Sequence, residues 1–412
     1  MPLAHRLDAA LAPDPSRVIA QPYLAGRERV ASVAARLAEL PDEAVIAAAA
    51  RVRADFGQRH DQLDASIEAH AGAALGLLFD GVRLDAVRRC VLGATVTAEY
   101  AVEAAALCNP SAMTHPDQSG LAADELRVAL SLRCIGEGHL STLGFASAVI
   151  GGRSWRFQQR RRPLIGARAT DGSGADTTFP ATSDLGQRIL LPGDADERNG
   201  IEDARFTEMS GAAPRYRATY TAYDGTTIRP RLLETDDLRS FRMGRLRGPG
   251  AQNKGMALFP RRIGDLHAAL VRVDNESNFV SYSSDGYDWG TPVPVQRPRE
   301  TWELLQLGNC GPPIETPQGW LVLTHGVGPM RTYCIGAILL DLDDPTRTIG
   351  SLREPLLEPA PAEREGYVPN VVYSCGAILH RSTLWIPYGI SDSRIGVATV
   401  EVAELVSGLR RP

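Results

Sequence analysis

The sequence predicts a mainly β protein preceded by an α-helical region. Residues 28–107 are rich in Ala, Leu, Arg and Glu and contain a single proline, Pro41. From about residue 109 onward Gly and Pro become frequent, and β-branched and aromatic residues cluster in short runs between turn signals. Similar hairpins ending in Asp-Gly or Asp-Asp recur along this part, which favours radial repetition of small sheets in a β-propeller. A sandwich or two stacked β domains is the alternative.

Amphipathic stripes predict three or four helices in residues 1–107. Apolar side chains recur at helical spacing in residues 42–56, 63–75 and 84–107. Pro41 followed by Asp42 is a plausible helix start. We expect the helical region to pack against the β region or against a second subunit, so that it can support a homo-oligomer.

Residues 108–412 are predicted to form the β domain. The candidate strands share β-branched and aromatic composition and are Arg127–Leu132, Tyr216–Tyr223, Thr227–Leu233, Ala268–Val273, Phe279–Ser283, Gly319–His325, Cys334–Leu340, Val371–His380, Leu384–Tyr388 and Ile395–Val402.

The amino-acid composition limits which classes of partner are expected. The 412 residues include 44 Lys and Arg against 49 Asp and Glu, with a net charge of -5 and no long run of one sign, so no nucleic-acid partner is expected. The six cysteines show no CxxC or Cys/His spacing, which predicts no metal site and a reducing compartment. No leader-like or membrane-length apolar segment is found, so we expect a cytoplasmic protein without a membrane partner.

The most informative motif is the doublet Glu202-Asp203, followed by Arg205. Two adjacent carboxylates repel each other when both are buried and ionised, so at least one is expected in a polar cleft or with a shifted pKa. Such a carboxyl group suits general acid catalysis. A solvated turn is the alternative explanation.

Seven motifs in chain order resemble glycoside hydrolase family 130, the inverting mannoside phosphorylases and related mannosidases. They start at Asn109, Gly200, Tyr220, Lys254, Gly311, Gly319 and Tyr388. The resemblance implies a five-bladed β-propeller with the active site in its central channel. Two departures, Ala204 in place of the family's proline and the variant segment 131–141, indicate a divergent subgroup with an added N-terminal helical region.

The resemblance also implies roles for individual residues. Asp203 would be the general acid, acting through a hydroxyl of the sugar, while Glu202 orients the loop or the sugar and Arg205 pairs with a carboxylate or contacts the ligand. Phosphate, the co-substrate, would be bound by Arg229, Arg247, Lys254 and His325. The mannosyl unit would be bound by Asn109, Arg133, Tyr223 and Asp392. No cofactor is implied.

The implied activity is that of an inverting β-mannoside phosphorylase, which transfers mannosyl from a β-mannosyl oligosaccharide to phosphate and gives α-mannose 1-phosphate reversibly. A phosphorylase needs cationic groups for the dianion, whereas a hydrolase needs a second carboxylate to activate water. The alternatives are a β-mannosidase, with Glu303, Glu315 or Glu365 as base, a mannosyltransferase, and a non-catalytic glycan-binding propeller. The side chains of Trp302, Trp320 and Tyr367 either stack on sugars or pack in the core.

Overall fold

The computed structural model describes residues 4–78, 83–170, 176–211 and 213–411. It contains two compact units. The β unit comprises Met1–Pro13, Glu103–Arg160 and Ala167–Pro412, and the helical unit comprises Asp14–Val102 and Arg161–Gly166. This division differs from the predicted boundary at residue 107, because the N-terminal residues belong to the β unit.

The helical unit contains four helices and a strand pair. The helices are α1 (Arg27–Glu39), α2 (Asp42–Phe56), α3 (Leu63–Gly76) and α4 (Ala86–Thr95), and the paired strands are Val18–Pro22 and Thr97–Ala101, with a short strand at Ile165–Gly166. Helix α4 starts where the Asp85 carboxylate accepts a hydrogen bond from the Arg88 N–H (2.8 Å). Gly93 of α4 allows close contact with α3, because a Cβ there would lie 2.1 Å from the Ile67 carbonyl oxygen.

The predicted helices at 42–56 and 63–75 are therefore confirmed. The third prediction, over 84–107, was partly wrong, because α4 ends at Thr95 and a strand follows. The β-branched and aromatic side chains of that strand fit a pleated sheet better than a helix. No helix in the described part of the chain is long and apolar enough to cross a membrane.

The β unit contains five antiparallel sheets. The first holds Ala106–Thr114, Leu126–Ile135, Ser141–Gly151, Ser154–Phe157 and Arg188–Leu190; the second holds Arg168–Ala169, Asp176–Thr178, Ile201–Glu208, Tyr216–Tyr223, Ile228–Thr235 and Ser240–Arg245. The third holds Ala257–Leu258, His267–Val271, Asn278–Ser283 and Val293–Gln296; the fourth holds Gln306–Asn309, Ile314–Thr316, Gly319–Val327, Tyr333–Leu340 and Thr348–Ser351. The fifth holds His5–Leu11, Val372–Tyr373, Ile378–His380, Thr383–Ile390 and Arg394–Glu401, followed by helix α5 (Val402–Gly408).

Sheets that follow each other in the chain also pack together. Leu232 of the second sheet shares a buried cluster with Val271 of the third, and Val280 of the third shares one with Val322 of the fourth. The first and fifth sheets meet at a bridge between Ser111 and Gly376. The core is thus distributed between neighbouring sheets.

Most predicted strands are confirmed within a few residues. The predicted strand 371–380 is two short strands, and the predicted strand 395–402 ends at Glu401, where α5 begins. Several strands were missed, including Ile201–Glu208, which carries the Glu-Asp doublet. In Ile201–Glu208 both faces are largely buried, and its small and charged residues hide any alternation of apolar and polar side chains.

Candidate active site

One cavity of about 200 Å³ collects side chains from all five sheets and their adjoining loops. The residues lining it are Asn109, Arg133, Asp203, Arg205, Lys254, Gly255, Arg272, Gln306, His325, Arg331, Tyr333, Val368, Val371, Tyr373 and Asp392. Ionisable side chains dominate this lining. In the part of the chain that the structure describes, no cluster of His, Cys, Asp and Glu has the arrangement of a metal site.

Backbone irregularities aim two of these side chains into the cavity. The register between Ile201–Glu208 and Tyr216–Tyr223 shifts between Glu202 and Arg205, and Asp203 within the bulge has a φ of 55°. Asn109 lies at a similar shift with a φ of 49°. The Asn109 amide donates a hydrogen bond to Asp203 Oδ1 (2.6 Å), so two bulged strands from different sheets meet at one carboxylate.

Arg133 connects both members of the carboxylate doublet. Its guanidinium donates to Glu202 Oε1 at 2.7 Å and lies 3.5 Å from Asp203 Oδ1. Glu202 does not line the cavity, so it holds Arg133 in place. This contact reduces the repulsion that adjacent buried carboxylates would otherwise experience.

The carboxyl groups are ionised to different degrees. Burial acts to raise the pKa of Asp203, but Arg133, Arg205, Lys254 and the Asn109 hydrogen bond together lower it below its usual value. Burial raises the pKa of Glu202, with Arg133 opposing and Asp203 adding to the shift. Burial, opposed by Arg133 and reinforced by Asp203, raises the pKa of Asp392 to about 6. The surrounding cations therefore hold Asp203 in its charged form.

Cationic side chains outnumber carboxylates in the lining. Arg133, Arg205, Lys254, Arg272 and Arg331 face two carboxylates, Asp203 and Asp392. Among the described residues, Lys254, Arg272 and Arg331 have no carboxylate oxygen within 4 Å. Such an excess of positive charge suits an anionic ligand.

Two of these arginines are buried with donor capacity left over. Arg205 donates to the carbonyl oxygen of Asp203 (2.9 Å) and to the Tyr373 hydroxyl (2.7 Å), and Arg272 donates to the Asn275 carbonyl oxygen. The Nε of each guanidinium is buried without a hydrogen-bond partner in the described structure. Each guanidinium therefore keeps donor capacity that the protein itself does not use.

His325 is a buried neutral imidazole. Burial, with Arg272 and Arg205 nearby, holds its pKa well below the usual value. Its Nδ1 lies 3.3 Å from the Asn309 carbonyl oxygen, which only accepts hydrogen bonds, so the proton is on Nδ1 and Nε2 is an acceptor. In this tautomer the Nε2 of His325 can accept a hydrogen bond but cannot donate one.

Comparison with known proteins identifies the family. The model of glycoside hydrolase family 130, described as β-1,4-mannooligosaccharide phosphorylase, matches residues 176–411, more than half of the chain. The chain belongs to glycoside hydrolase family 130. A 1,2-β-oligomannan phosphorylase from Thermoanaerobacter sp. (strain X514) is 39% identical over 215 residues, which is 51% of this chain and 71% of that protein.

Two further similar proteins are also mannoside phosphorylases by name. A β-1,2-mannobiose phosphorylase from the same organism is 35% identical over 206 residues, covering 49% of this chain and 67% of that protein. The structure of β-1,2-mannobiose phosphorylase from Listeria innocua aligns with a TM-score of 0.51 at 22% identity, over 75% of this chain and 93% of that chain. The structural likeness shows that the fold is shared.

The span matched by the family model includes most, but not all, of the residues that line the cavity. Asp203, Lys254, His325 and Asp392 lie inside the matched span, whereas Asn109 and Arg133 lie before it. The structure brings seven of the residues that the sequence predicted as site residues into one lining: Asn109, Arg133, Asp203, Arg205, Lys254, His325 and Asp392.

Two arginines expected at the phosphate lie outside the cavity. Arg229 is exposed on the second sheet, opposite Ala222. Arg247 is exposed and forms an ion pair with Asp288 at 3.1 Å. The lining instead contains Arg272, which the sequence analysis missed although it directly follows the buried strand His267–Val271.

The other candidates outside the lining have structural contacts. The Tyr223 hydroxyl donates to the Gly225 carbonyl oxygen (2.8 Å). The indole N–H groups of Trp302 and Trp320 donate to backbone carbonyls, and Trp320 is fully buried. The three glutamates considered as bases for hydrolysis also lie outside the lining. Glu303 is buried and accepts hydrogen bonds from backbone N–H groups of its own turn, Glu315 pairs with Arg261 on the surface, and Glu365 is exposed.

Proposed function

We propose that this protein is an inverting β-mannoside phosphorylase that gives α-mannose 1-phosphate from a β-mannosyl oligosaccharide and phosphate. The observation that carries the proposal is the excess of cationic side chains in the cavity that contains Asp203. A dianion next to Lys254 and Arg272 would balance that charge, whereas water would leave it uncompensated. The named relatives, which are phosphorylases, support the same reaction.

In the proposed reaction Asp203 supplies the proton. A phosphate oxygen attacks the anomeric carbon of the mannosyl unit while the bond from that carbon to the glycosidic oxygen breaks, and the proton passes through a sugar hydroxyl to the leaving oxygen. Lys254, Arg272 and Arg205 would hold the phosphate. Asn109, Arg133 and Asp392 would hold the mannosyl hydroxyls.

Phosphate would also prepare the acid. The cations that lower the pKa of Asp203 include Arg205 and Lys254, which the phosphate would occupy. Binding of a dianion offsets their potential and favours protonation of Asp203. Calorimetry of phosphate binding in buffers of different ionisation enthalpy should therefore register proton uptake, and Asp203→Asn should abolish it; equal uptake in both proteins would reject this step.

We further propose that the five sheets are the blades of a five-bladed β-propeller whose central channel is the cavity. Support comes from the packing of successive sheets and from the bridge between the first and the fifth. Radial arrangement explains why residues from all five sheets line one cavity.

The hydrolase alternative depends on Asp392. It is the second carboxylate of the lining, whereas the bases suggested by the sequence lie elsewhere. Its pKa of about 6 would leave it largely ionised at neutral pH. The same group can accept two sugar hydroxyls, which is the role we assign to it.

The test is product analysis with β-1,2- and β-1,4-linked manno-oligosaccharides, with and without phosphate. We expect mannose 1-phosphate only when phosphate is present. Because the named relatives act on β-1,2-linked substrates, those should react first. Free mannose released at the same rate without phosphate would show hydrolysis instead, and no turnover of any linkage would reject the proposal.

A further inference from the structure

The cavity is too small for a whole oligosaccharide. Its volume of about 200 Å³ lies below the roughly 300–1,000 Å³ of pockets that enclose drug-sized ligands. A mannosyl unit and a phosphate would fill it. The sugar on the other side of the scissile bond must then lie at the mouth of the cavity.

An exposed aromatic pair lies next to the cavity lining. His139 and Tyr367 have ring centroids 5.8 Å apart at an angle of 42°, and His139 Nδ1 is hydrogen-bonded to the Tyr367 hydroxyl. His139 is on the turn after the strand that carries Arg133, and Tyr367 directly precedes Val368, a lining residue. The pair therefore joins loops of the first and fifth sheets.

The backbone around Tyr367 is fixed against the site. The Tyr367 N–H donates to Ser393 Oγ (2.6 Å), and the Val368 N–H donates to the Ser391 carbonyl oxygen (3.0 Å). These bonds attach the segment to the residues on both sides of Asp392. Tyr367 is nevertheless 40% exposed, so its ring is held in place beside the site without being buried.

Other exposed apolar side chains border the same lining. Met330 is 87% exposed beside Arg331, and Leu305 is 60% exposed beside Gln306. Exposed apolar groups concentrated around a polar cavity are typical of a ligand-binding surface. The apolar C–H face of a pyranose ring is a suitable partner for such a surface.

We propose that the His139–Tyr367 pair is the platform that binds the acceptor sugar, the unit that leaves in phosphorolysis and enters in synthesis. The inference rests on the proposed function and deepens it. The Tyr367 ring would contact the apolar face of the acceptor pyranose, and the free Nε2 of His139 would bond one of its hydroxyls. Mannosyl and phosphate recognition would remain inside the cavity.

The test uses the synthetic direction, with α-mannose 1-phosphate as donor and mannose or β-1,2-mannobiose as acceptor. We expect Tyr367→Ala to raise the KM for the acceptor roughly three- to tenfold and to leave the KM for the donor unchanged. Tyr367→Phe, which retains the ring, should stay close to wild type. The matched control is Leu266→Ala, because Leu266 is also 40% exposed but has no chain neighbour in the cavity lining, whereas Tyr367 directly precedes Val368.

An unchanged acceptor KM in Tyr367→Ala, or equal increases for donor and acceptor, would overturn the platform. If the wild-type protein makes no product from mannose 1-phosphate, the proposed function fails, and the platform is then tested by binding alone. In an Asp203→Asn background, Tyr367→Ala should weaken β-1,2-mannobiose binding whereas Leu266→Ala should not. Equal binding by both variants would reject the platform independently of the reaction.

Discussion

At the scale of single residues, the site depends on one buried carboxylate surrounded by positive charge. Asp203 is 5% exposed, accepts a hydrogen bond from Asn109 and lies beside Arg133. Removing its carboxylate charge should affect catalysis more than binding, because a positioned general acid contributes about 10²–10⁴-fold to the rate. The remaining cations are available for the phosphate.

The phosphate assignment predicts different effects for arginines inside and outside the cavity. Arg272→Lys and Lys254→Ala should raise the phosphate KM about 10- to 100-fold, because each loses charge-assisted hydrogen bonds worth roughly 1.5–3 kcal/mol. Arg247→Ala removes an exposed ion pair and should leave this KM unchanged. Steady-state kinetics over a range of phosphate concentrations measures the phosphate KM of each variant. A large increase in this KM for Arg247→Ala alone would support Arg247, the residue predicted from the sequence, as the phosphate-binding group.

Asp392 should reduce stability at neutral pH. Its pKa is raised from 3.8 to about 6 by burial, so between these values the folded chain binds more protons than the unfolded chain. The free energy of unfolding should fall as pH rises through this window, and the full penalty applies above about pH 6.

Asp392→Asn should therefore stabilise the protein at neutral pH by up to about 3 kcal/mol and have little effect near pH 4. Asn also tolerates the φ of 47° at this position. Urea unfolding of both proteins at the two pH values is the measurement. Equal stability at neutral pH would show that the carboxylate carries no penalty.

The sequence predicted much of the cavity lining but only part of its cationic side chains. Asp203, Lys254 and Asp392 were predicted from motifs, and all three line the cavity. Arg272 was missed because the sequence does not show whether an arginine that follows a buried strand lies at the surface or at the cavity. Arg229 and Arg247 are exposed and lie outside the lining, because spacing along the chain does not report which side chains of a sheet and its connecting segments reach the cavity.

At the scale of elements, two bulged strands place Asn109 and Asp203 at the cavity. The register shifts near Asn109 and Asp203 let both side chains face the cavity, although regular alternation would turn neighbours to opposite faces. The sequence predicted the hairpin at Tyr216–Tyr223 but not the bulged strand beside it. A bulge depends on pairing across the sheet, so local composition does not reveal it.

Gly200 sets the start of the bulged strand. Its φ is 126°, and a Cβ there would lie 2.9 Å from the backbone nitrogen of Ser141 in the first sheet. Gly200→Ala should lower the free energy of unfolding by about 1–3 kcal/mol and reduce activity, because it strains the backbone and separates the two sheets.

The matched control for that substitution is Gly193→Ala. A Cβ at Gly193 would meet no atom within 4 Å, and its φ is not left-handed. Gly193→Ala should therefore leave the free energy of unfolding and the activity close to wild type. Urea denaturation and activity assays compare the variants, and equal stability of the two would contradict the role of Gly200.

At the scale of the whole molecule, the two ends of the chain share a sheet. The N-terminal strand His5–Leu11 pairs with Arg394–Glu401. The sequence analysis placed the N-terminal residues in a helical domain, because a seven-residue strand before a run of helices gives a weak signal. The helices and most strands were predictable from periodicity, whereas this long-range pairing was not.

Arg6 of the N-terminal strand stabilises this pairing. It forms an ion pair with Glu363 at 2.8 Å, and Glu363 also accepts a hydrogen bond from the Tyr388 hydroxyl (2.6 Å). Arg6→Ala should lower the free energy of unfolding by about 1–3 kcal/mol, because it leaves a mostly buried carboxylate with one partner fewer.

The exposed ion pair of Arg51 with Asp55 provides the control, since Arg51→Ala should cost at most about 0.5 kcal/mol. Urea denaturation measures both variants. Similar midpoints for Arg6→Ala and wild type would show that the ion pair of Arg6 with Glu363 adds nothing to stability.

The central claim is that the cations around Asp203 bind phosphate as the attacking group. The most direct measurement is ³¹P NMR of the protein incubated with β-1,2-mannobiose and phosphate, with Asp203→Asn as a control. We expect the α-mannose 1-phosphate signal to grow in step with substrate loss, and no such signal for Asp203→Asn. Substrate loss with free mannose as the product and an unchanged phosphate signal would contradict it.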